Sequence, residues 1–383
     1  MTGKHDELVK PIWGTLCEHI NHNKQRKFGV LAMKKKMLGL MVFCVFLFVL
    51  TMPGMAAYKA EYRMSVVVEP ASPWGQGAQM FADLVKKRTD GRIVIKPYFR
   101  GQLYDGKQTN EFLLLQQGVA DFAIGSTINW STMVKELNLF SLPFLFHNEY
   151  RAVDALETGK VGRRIFDILS DKGAVALAWG ENGFREITNS KRSIHTPEDL
   201  QGLKIRVVGT PMLMDIFKSL GADPVAMNWG EAQSALKSGT VDGQENPVAS
   251  ITIPYRLWEV NKYITFWHYA IDPLIFAASK ETWGALDRTD REIISKAARE
   301  AAKWQKKAAR EGLTGNASSV DVLRKNGMEI TLLTPEQFQA FKVRTKPVYD
   351  KWASDIGVDL VRAAERTVQS VEVKKAGKGK KIR

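Results

Sequence analysis

The sequence has little cysteine and histidine, and this scarcity excludes several kinds of chemistry. Both cysteines, Cys17 and Cys44, fall within the first 56 of the 383 residues. Beyond that stretch the histidines are His147, His195 and His268, which are far apart and form no HExxH pair. If the first 56 residues are removed, as argued below, the chain has no disulfide and no cysteine nucleophile. We expect no metal and no cofactor.

The chain also lacks a strongly charged body, although its formal net charge is +14. Residues 1–57 carry +5 and residues 374–383 carry +6, which leaves +3 for everything between them. A body so nearly neutral has no overall field to attract nucleic acid, which is therefore not an expected partner. Apolar residues make up 45% of the chain and charged residues 25%, which is typical of a folded globular protein.

The N-terminal region resembles an export signal rather than a folded domain. Three consecutive lysines precede a long uncharged run rich in leucine, valine, phenylalanine and methionine. Small residues at Gly54 and Ala56 favour cleavage after Ala56, so residues 33–56 are predicted to be a cleaved signal peptide. An uncleaved membrane anchor is the alternative. Residues 1–32 are polar, and we expect Met33 to be the true start of translation.

Beyond the signal, strand and helix patterns alternate, which predicts an α/β fold. In the first half we predict strands at 62–68, 92–98 and 120–125, separated by helices at 77–88 and 110–117.

The second half shows the same alternation, followed by helices. We predict strands at 203–208 and 222–227, helices at 211–220 and 231–237, and long later helices at 290–311 and 335–354. Thr210 suits an N-cap, Pro211 the first helical position and Gly221 a left-handed C-cap. A late helix-rich segment is suited to holding two lobes together.

The two halves share a short repeated pattern. The pattern LxxGxxD occurs at 115–121 and again at 236–242, each time where a helix leads into a strand. Helix-to-strand connections often look alike, so a chance match is the alternative. Together with a length that suits two or three domains, the repeat favours two similar lobes.

No familiar catalytic motif is present, but two arginines lie in predicted strands. The sequence contains neither a GxSxG elbow nor a GxxxxGK[ST] phosphate loop. Arg206 is flanked by apolar residues in the strand KIRVV, where burying a guanidinium without an anion is costly. The C-terminal end of such a strand is where open α/β sheets hold ligands. Arg185 lies at the start of another predicted strand. For either arginine, an internal salt bridge is the alternative to a ligand.

Four segments closely resemble the substrate-binding proteins of tripartite ATP-independent periplasmic (TRAP) transporters. They are FREITNS at 184–190, TPEDL at 196–200, GLKIRV at 202–207 and VDGQENP at 241–247. With GQL at 101–103 and LPFLF at 142–146, the resemblance covers roughly residues 60–365. It implies a two-lobed periplasmic binding protein of the Venus-flytrap type, with long C-terminal helices lacing the lobes together.

The resemblance also implies a ligand site. In this family a strand arginine forms a two-pronged salt bridge with the ligand carboxylate, and the matching position is Arg206. Arg185 matches a second arginine near the ligand, and Asn246 matches a cleft asparagine. A planar guanidinium fits a carboxylate in a way that the point charge of a lysine does not.

Further candidates are polar and aromatic residues near predicted strand ends, each equally compatible with a place in a loop or in packing. They are Glu69, Trp74, Gln102, Ser126, Thr127, Trp229 and Trp267. A carboxylate such as Glu69 repels a second acid group but accepts hydrogen bonds from hydroxyls. We therefore expect a sugar acid rather than a dicarboxylate or a keto acid, with Trp229 and Trp267 suited to stacking on a sugar face.

The predicted partners are a small organic acid anion and the membrane permease subunits of a TRAP transporter, and we expect a monomer. Lobe I is predicted to contain residues 59–182 and about 271–303, and lobe II residues 183–270 and about 304–365. The basic segment 374–383 is predicted to be a disordered tail, with contact to anionic lipid as the alternative.

Two other functions stay open on the sequence alone. A periplasmic sensor protein would present its ligand to a receptor such as a kinase instead of a permease. A periplasmic hydrolase or lyase would use cleft carboxylates that no motif reveals. We expect binding without catalysis, because the resemblance is to binding proteins and no catalytic motif is visible.

Overall fold

The computed structural model describes residues 58–104, 107–146, 149–311 and 318–380. The strands in these ranges, in chain order, are β1 (Tyr62–Val66), β2 (Ile95–Tyr98), β3 (Phe122–Ser126), β4 (Ala174–Asn189), β5 (Lys204–Val207), β6 (Asp223–Ala226), β7 (Gly243–Pro247), β8 (Tyr263–Phe266), β9 (Ile271–Ser279) and β10 (Glu329–Leu332). The α-helices are α1 (Pro73–Arg88), α2 (Glu111–Gln116), α3 (Thr127–Trp130), α4 (Tyr150–Thr158), α5 (Lys160–Asp171), α6 (Pro211–Ser219), α7 (Trp229–Ser238), α8 (Lys280–Ala285), α9 (Arg288–Arg310), α10 (Ser318–Lys325), α11 (Pro335–Ile356) and α12 (Val358–Lys380). The predicted α/β fold is confirmed.

Strand β4 joins two halves of one continuous sheet. The strand order is β2-β1-β3-β9-β4-β7-β5-β6, with β8 paired to both β4 and β10. Residues 174–184 of β4 pair antiparallel with β9, and residues 185–189 pair antiparallel with β7. We call β2, β1, β3 and β9 the first half-sheet, and β7, β5, β6, β8 and β10 the second half-sheet.

The two half-sheets have the same local topology. In the first, β1 pairs in parallel with β2 and β3, and β3 pairs antiparallel with β9. In the second, β5 pairs in parallel with β6 and β7, and β7 pairs antiparallel with β4. The structure therefore contains the two similar units that the sequence repeat predicts.

The repeated LxxGxxD pattern has the same geometry in both units. Its glycine takes a left-handed φ, +65° at Gly118 and +70° at Gly239. Its aspartate accepts a backbone N–H near the start of the adjacent parallel strand, at 2.8 Å for Asp121 on β1 and 2.9 Å for Asp242 on β5. The pattern is thus a turn whose aspartate links the start of β3 to β1 in the first unit and the start of β7 to β5 in the second.

Helix α6 begins and ends where the sequence predicts. The Thr210 hydroxyl accepts a hydrogen bond from the Leu213 N–H at 3.3 Å, and Pro211 occupies the first turn. Gly221, just past the helix, has a φ of +85°. The other predicted strands and helices are present with shifted ends, because their terminal residues lack ladder or helical hydrogen bonds.

The C-terminal helices cross between the two units, as predicted. Helix α11 packs against α6 in the second unit and against residues 135–141 in the first, while α12 packs against α4 and α5. Buried Phe341 and Val348 of α11, and Val361 and Ala364 of α12, belong to one large core that also contains strands of the second half-sheet. From Tyr58 onward the chain forms one compact unit, so its division into two lobes at the boundaries given above stays a prediction.

Helix α12 extends to Lys380, into the segment for which a disordered tail is predicted, and the disorder of residues 374–383 stays a prediction. Lysine and alanine are good helix formers, and positive charge is favourable near a helix C-terminus. Residues 381–383 and the predicted signal peptide lie outside the described residues. Within the described ranges, none of the helices has the length and hydrophobicity needed to cross a membrane.

Candidate functional site

A small cavity lies where the two half-sheets meet. It is lined by the apolar or aromatic residues Val67, Val68, Trp74, Val208, Trp229 and Ile251, and by the polar residues Gln108, Ser126, Asn129, Asn182, Arg185, Arg206, Asn246 and Asp272. Its volume of about 20 Å³ is enough for about one water molecule. Side chains from both halves therefore almost meet, and a ligand of several carbon atoms needs the halves to move apart.

Arg206 is a buried cation in this cavity without a carboxylate partner among the described residues. It lies on β5 with 1% of its surface exposed. Its Nε and Nη2 donate to the Met227 carbonyl at 3.0 and 2.7 Å, and Nη2 lies 3.4 Å from Gln108 Oε1. The Trp229 ring centre is 5.5 Å from Cζ, within cation–π range. These neutral groups orient the guanidinium but leave its charge uncompensated.

The electrostatics of Arg206 favour an anion in the cavity. Burial lowers its pKa to about 10, and the negative charge of Glu245 offsets this only in part. The side chain is still charged at neutral pH, but removing that charge from water is costly. A carboxylate placed beside the guanidinium would replace the favourable interaction with water that the buried charge has lost.

Arg185 is in the opposite situation, because two acidic side chains already neutralise it. Its Nε and Nη2 donate to the Glu245 carboxylate, and its Nη1 lies 3.3 Å from Asp272 Oδ2. Although burial alone would lower the pKa of Arg185, the charge and hydrogen bonds of Glu245 raise it above the usual range. The residue lines the cavity, but it lies inside the long strand β4 rather than at a strand start, and its guanidinium is engaged in the internal salt bridge described as the alternative.

Four other predicted residues line the cavity. The Asn246 Nδ2 donates to Gln244 Oε1 at 2.5 Å, and the Ser126 hydroxyl donates to Asp272 Oδ1 at 2.6 Å. The Trp74 indole N–H donates to the Ile124 carbonyl at 2.8 Å. The Trp229 ring lies between Arg206 and Tyr255, edge-on to the tyrosine at 5.0 Å.

Four predicted residues lie outside the cavity lining. Glu69 faces Arg100, with 3.4 Å between Oε1 and Nε, and Gln102 is exposed in a turn. Thr127 lies behind the wall, where its hydroxyl donates to Asp272 Oδ1 at 3.2 Å.

Trp267 is fully buried in a cluster with Phe217, Tyr269 and Phe341. It directly follows β8 and lies outside the cavity lining, so its contacts are those of core packing, and its role in stacking on a sugar stays a prediction.

Four polar lining residues were not predicted from the sequence: Gln108, Asn129, Asn182 and Asp272. Asp272 carried a usable signal, since it is an acidic residue within the apolar run that forms β9. Asn182 directly precedes the segment that contains Arg185. Gln108 and Asn129 have no local pattern that distinguishes them from ordinary polar residues.

Gln108 connects the two sides of the cavity. Its Oε1 accepts from the Trp229 N–H at 2.7 Å, and its Nε2 donates to Asn129 Oδ1 at 2.8 Å. Its own N–H donates to Asn228 Oδ1 at 2.8 Å. The bonds to Trp229 and Asn228 join the segment after β2 to the start of α7, and so hold the cavity in a closed arrangement. The bond to Asn129 stays within the first unit.

The described residues contain no group of three or more histidine, cysteine, aspartate and glutamate side chains that could hold a metal ion. The groups that line the cavity are instead a buried cation, several amides and an apolar wall. This combination has the charge and the polar groups suited to a small anion.

Two similar α/β units, joined by a shared strand and holding an anion site between them, define the class of two-lobed solute-binding proteins. The family model for bacterial extracellular solute-binding proteins, family 7, matches residues 64–355. The chain belongs to this family.

Similar proteins agree with that assignment. A TRAP periplasmic solute-binding protein from Ralstonia eutropha H16, solved with bound (S)-2-acetolactate, is 51% identical, with a TM-score of 0.80 over 82% of this chain and 100% of that one. A sugar acid binding protein from Advenella mimigardefordensis strain DPN7T, in complex with galactonate, is 29% identical, with a TM-score of 0.76 over 81% and 98% of the two chains. The 2,3-diketo-L-gulonate-binding periplasmic protein of Escherichia coli K12 is 31% identical over 291 residues, 75% of this chain and 86% of its own.

Family membership confirms the predicted class of solute-binding protein and the expectation that it is not an enzyme. The proteins of this family are periplasmic solute-binding proteins that bind small organic acids and work with TRAP permeases. They serve transport and are not enzymes, so the predicted absence of catalysis is confirmed by the family.

Proposed function

We propose that this chain is the solute-binding component of a TRAP transporter, and that it captures a small carboxylate by a salt bridge with Arg206. The observation that supports this most directly is a fully buried guanidinium that lines the central cavity with no carboxylate partner among the described residues. The Met227 carbonyl occupies the Nε–Nη2 edge, so the ligand carboxylate would meet the edge formed by Nη1 and Nη2, where Nη1 has no hydrogen-bond partner among the described residues. Asn246, and the already neutralised Arg185, would complete the wall around the anion.

Within the class of carboxylates, we propose a short branched hydroxy or keto acid as the first candidate. Val67, Val68, Val208 and Ile251 give the cavity an apolar wall suited to methyl groups. The 51% identical protein with bound (S)-2-acetolactate, a small acid of this type, supports the choice.

A sugar acid is the second candidate. The argument from Glu69 no longer supports it, since Glu69 faces Arg100 outside the cavity. The amides of Gln108, Asn129 and Asn182 do offer partners for hydroxyl groups, and several relatives about 28–29% identical were solved with sugar acids.

We further propose that the chain is exported by a signal peptide at residues 33–56 and that it closes around the acid. An anion bound to Arg206 on the second half-sheet would recruit Trp74, Ser126 and Asn129 from the first unit. The ligand drives such a hinge motion only through contacts that differ between the open and closed forms. The closed form would then deliver the acid to the permease.

A thermal-shift panel of hydroxy acids, keto acids, sugar acids and dicarboxylates tests the proposal. At least one acid should raise the melting temperature, because a ligand at 100 times its Kd stabilises the native state by about 2.7 kcal/mol. A panel without any stabilising acid would contradict the proposed function. Unchanged ligand after incubation would separate binding from hydrolysis.

The Arg206→Lys variant tests the salt bridge itself. Lysine keeps the charge but loses the planar fork and its bonds to Met227, so affinity for the best acid should fall at least tenfold in calorimetric titration. Arg256→Lys, an exposed site, is the matched control and should bind normally. An Arg206→Lys variant with nearly unchanged affinity would show that the guanidinium fork is not the clamp.

A further inference from the structure

Asn182 has an unused hydrogen-bond acceptor in the central cavity. It lies on β4, 2% exposed, and it lines the cavity together with Arg206. Its Nδ2 donates to Asp272 Oδ2 at 2.8 Å. Its Oδ1 is buried and has no hydrogen-bond partner among the described residues. A buried amide oxygen without a partner is costly and calls for an explanation.

The orientation of this amide is determined by Asp272. The two oxygens of that carboxylate accept hydrogen bonds from the Ser126 hydroxyl at 2.6 Å, the Thr127 hydroxyl at 3.2 Å and Arg185 Nη1 at 3.3 Å, as well as from Asn182. The Ser126 oxygen itself accepts the Ile128 N–H, so its proton is available for Asp272. Each of these contacts uses an oxygen of Asp272 as the acceptor, so the carboxylate offers Asn182 no donor.

A flipped amide would place its oxygen against the Asp272 carboxylate, where two acceptors repel each other. The nitrogen of Asn182 must therefore face Asp272, and its oxygen must face away from it. An acceptor held in this way cannot bind the carboxylate of a ligand. It requires a donor.

We propose that Asn182 Oδ1 accepts a hydrogen bond from a hydroxyl group on carbon 2 of the bound acid, so that the site selects 2-hydroxy acids. This inference rests on the proposed function, since Arg206 must hold the carboxylate. Because Asn182 and Arg206 line the same cavity, a hydroxyl that reaches Asn182 while Arg206 holds the carboxylate lies on a carbon near the carboxylate. Asn182 is then a specificity residue, and Asp272, Ser126 and Arg185 are the positioning residues that fix its orientation.

A matched pair of ligands tests the inference on the unaltered protein. The first is 2-hydroxy-2-methylbutanoate, and the second is 2,2-dimethylbutanoate, in which a methyl group of similar size replaces the hydroxyl. Calorimetric titration should show at least about tenfold tighter binding of the hydroxy acid, because a site built to bond a hydroxyl rejects the analogue that lacks it. Equal binding of the two acids would overturn the inference.

Substitutions of Asn182 test whether this residue causes the preference for the hydroxy acid. Asn182→Leu should reduce the ratio of the two affinities to below about threefold, mainly by weakening the hydroxy acid, since the unpaired amide is gone. Asn182→Ala serves the same purpose if the leucine variant does not fold. A preserved ratio in a folded variant would show that another group reads the hydroxyl.

Arg206→Lys distinguishes failure of the inference from failure of the proposed function. It should weaken both acids by a similar factor, because both carry the carboxylate. If no carboxylate in the panel binds the unaltered protein, the proposed function and this inference both fail. If carboxylates bind without regard to a 2-hydroxyl, this inference alone fails.

Discussion

Two buried arginines in the same cavity have different roles because their neighbours differ. Arg185 is compensated by Glu245 and Asp272, while Arg206 is held by the neutral carbonyl of Met227. Both sit within predicted strands, so their local sequence gives no reason to separate them. Only the positions of the acids decide which arginine is structural and which is available to a ligand.

The Glu245→Gln substitution should destabilise the protein strongly. It removes the charge that faces Arg185 and leaves a buried cation with Asp272 as its remaining acid, so we expect a loss of about 3 kcal/mol in the free energy of unfolding. Urea denaturation of the variant and of the unaltered protein measures this loss. Glu259→Gln, which changes the exposed pair with Arg256, is the control and should cost less than about 1 kcal/mol. Similar losses in the two variants would contradict the structural role of Glu245.

Glu111 gives the stability a pH dependence. Burial raises the pKa of its carboxyl to about 7, and hydrogen bonds from Ser65 and Trp130 lower it only in part. The folded state therefore keeps a proton that the unfolded state loses near pH 4.5. The stability from this proton is fully present below pH 4.5 and is lost as the pH rises through about 7.

The Glu111→Gln substitution should remove that pH dependence. The free energy of unfolding of the variant, minus that of the unaltered protein, should increase by up to about 3 kcal/mol between pH 4.5 and pH 8. Denaturant titrations across this pH range provide the measurement. A difference that stays constant with pH would mean that folding does not raise the pKa of Glu111.

At the scale of single elements, β4 is unusual because it belongs to both half-sheets and contains an irregularity where it changes partner. Its register with β9 shifts between Glu181 and Gly183. The Gln305 side chain, on α9, bonds to both the N–H and the carbonyl of Glu181, at 2.8 and 2.6 Å. Gly183 has a φ of +127°, a conformation open essentially to glycine alone.

The Gly183→Ala substitution should therefore strain this junction. The new Cβ would lie 3.1 Å from the Pro247 side chain, and the backbone conformation is unfavourable for alanine, so we expect a loss of about 1–3 kcal/mol. Gly230→Ala, on α7 with open space around it, is the matched control and should be neutral or slightly stabilising. Thermal and urea unfolding of both variants would measure the difference between the two stability losses. Equal stabilities of the two variants would show that β4 relaxes around the added methyl group.

At the scale of the whole molecule, the closed cavity implies a change of shape on binding. A volume of about 20 Å³ does not admit an organic acid without separation of the two units. The bonds of Gln108 to Trp229 and Asn228 hold them together in the present arrangement. The free energy of closing must be small, because a ligand shifts the equilibrium only by its difference in affinity for the two forms.

Small-angle X-ray scattering should detect this change of shape. We expect the radius of gyration to be larger without ligand than with a saturating acid, because ligand contacts from both units favour the closed form. The Arg206→Lys variant at the same acid concentration should remain closer to the ligand-free value. Identical radii with and without bound acid would show that binding does not require closure.

Much of the architecture was determined by local sequence. Thr210, Pro211 and Gly221 specify the limits of α6 through capping and backbone conformation, and the LxxGxxD repeat specifies two equivalent turns. These features depend on residues a few positions apart, so they can be read without the fold. The basic segment at 374–383 is less clear from local sequence, because its glycines and charge predict a disordered tail while helix α12 extends to Lys380.

What only the tertiary structure decided is how distant residues combine. The sequence singled out Arg206 because a charged residue in an apolar strand is costly, and that reason is local. It could not show that Glu245 and Asp272 satisfy Arg185 or that Trp267 belongs to the core. Nor could it show that, within the described part of the chain, Asn182 Oδ1 has no hydrogen-bond partner. Those facts depend on contacts between strands far apart in the chain, and hydrogen-bond satisfaction is a property of such contacts rather than of any one segment.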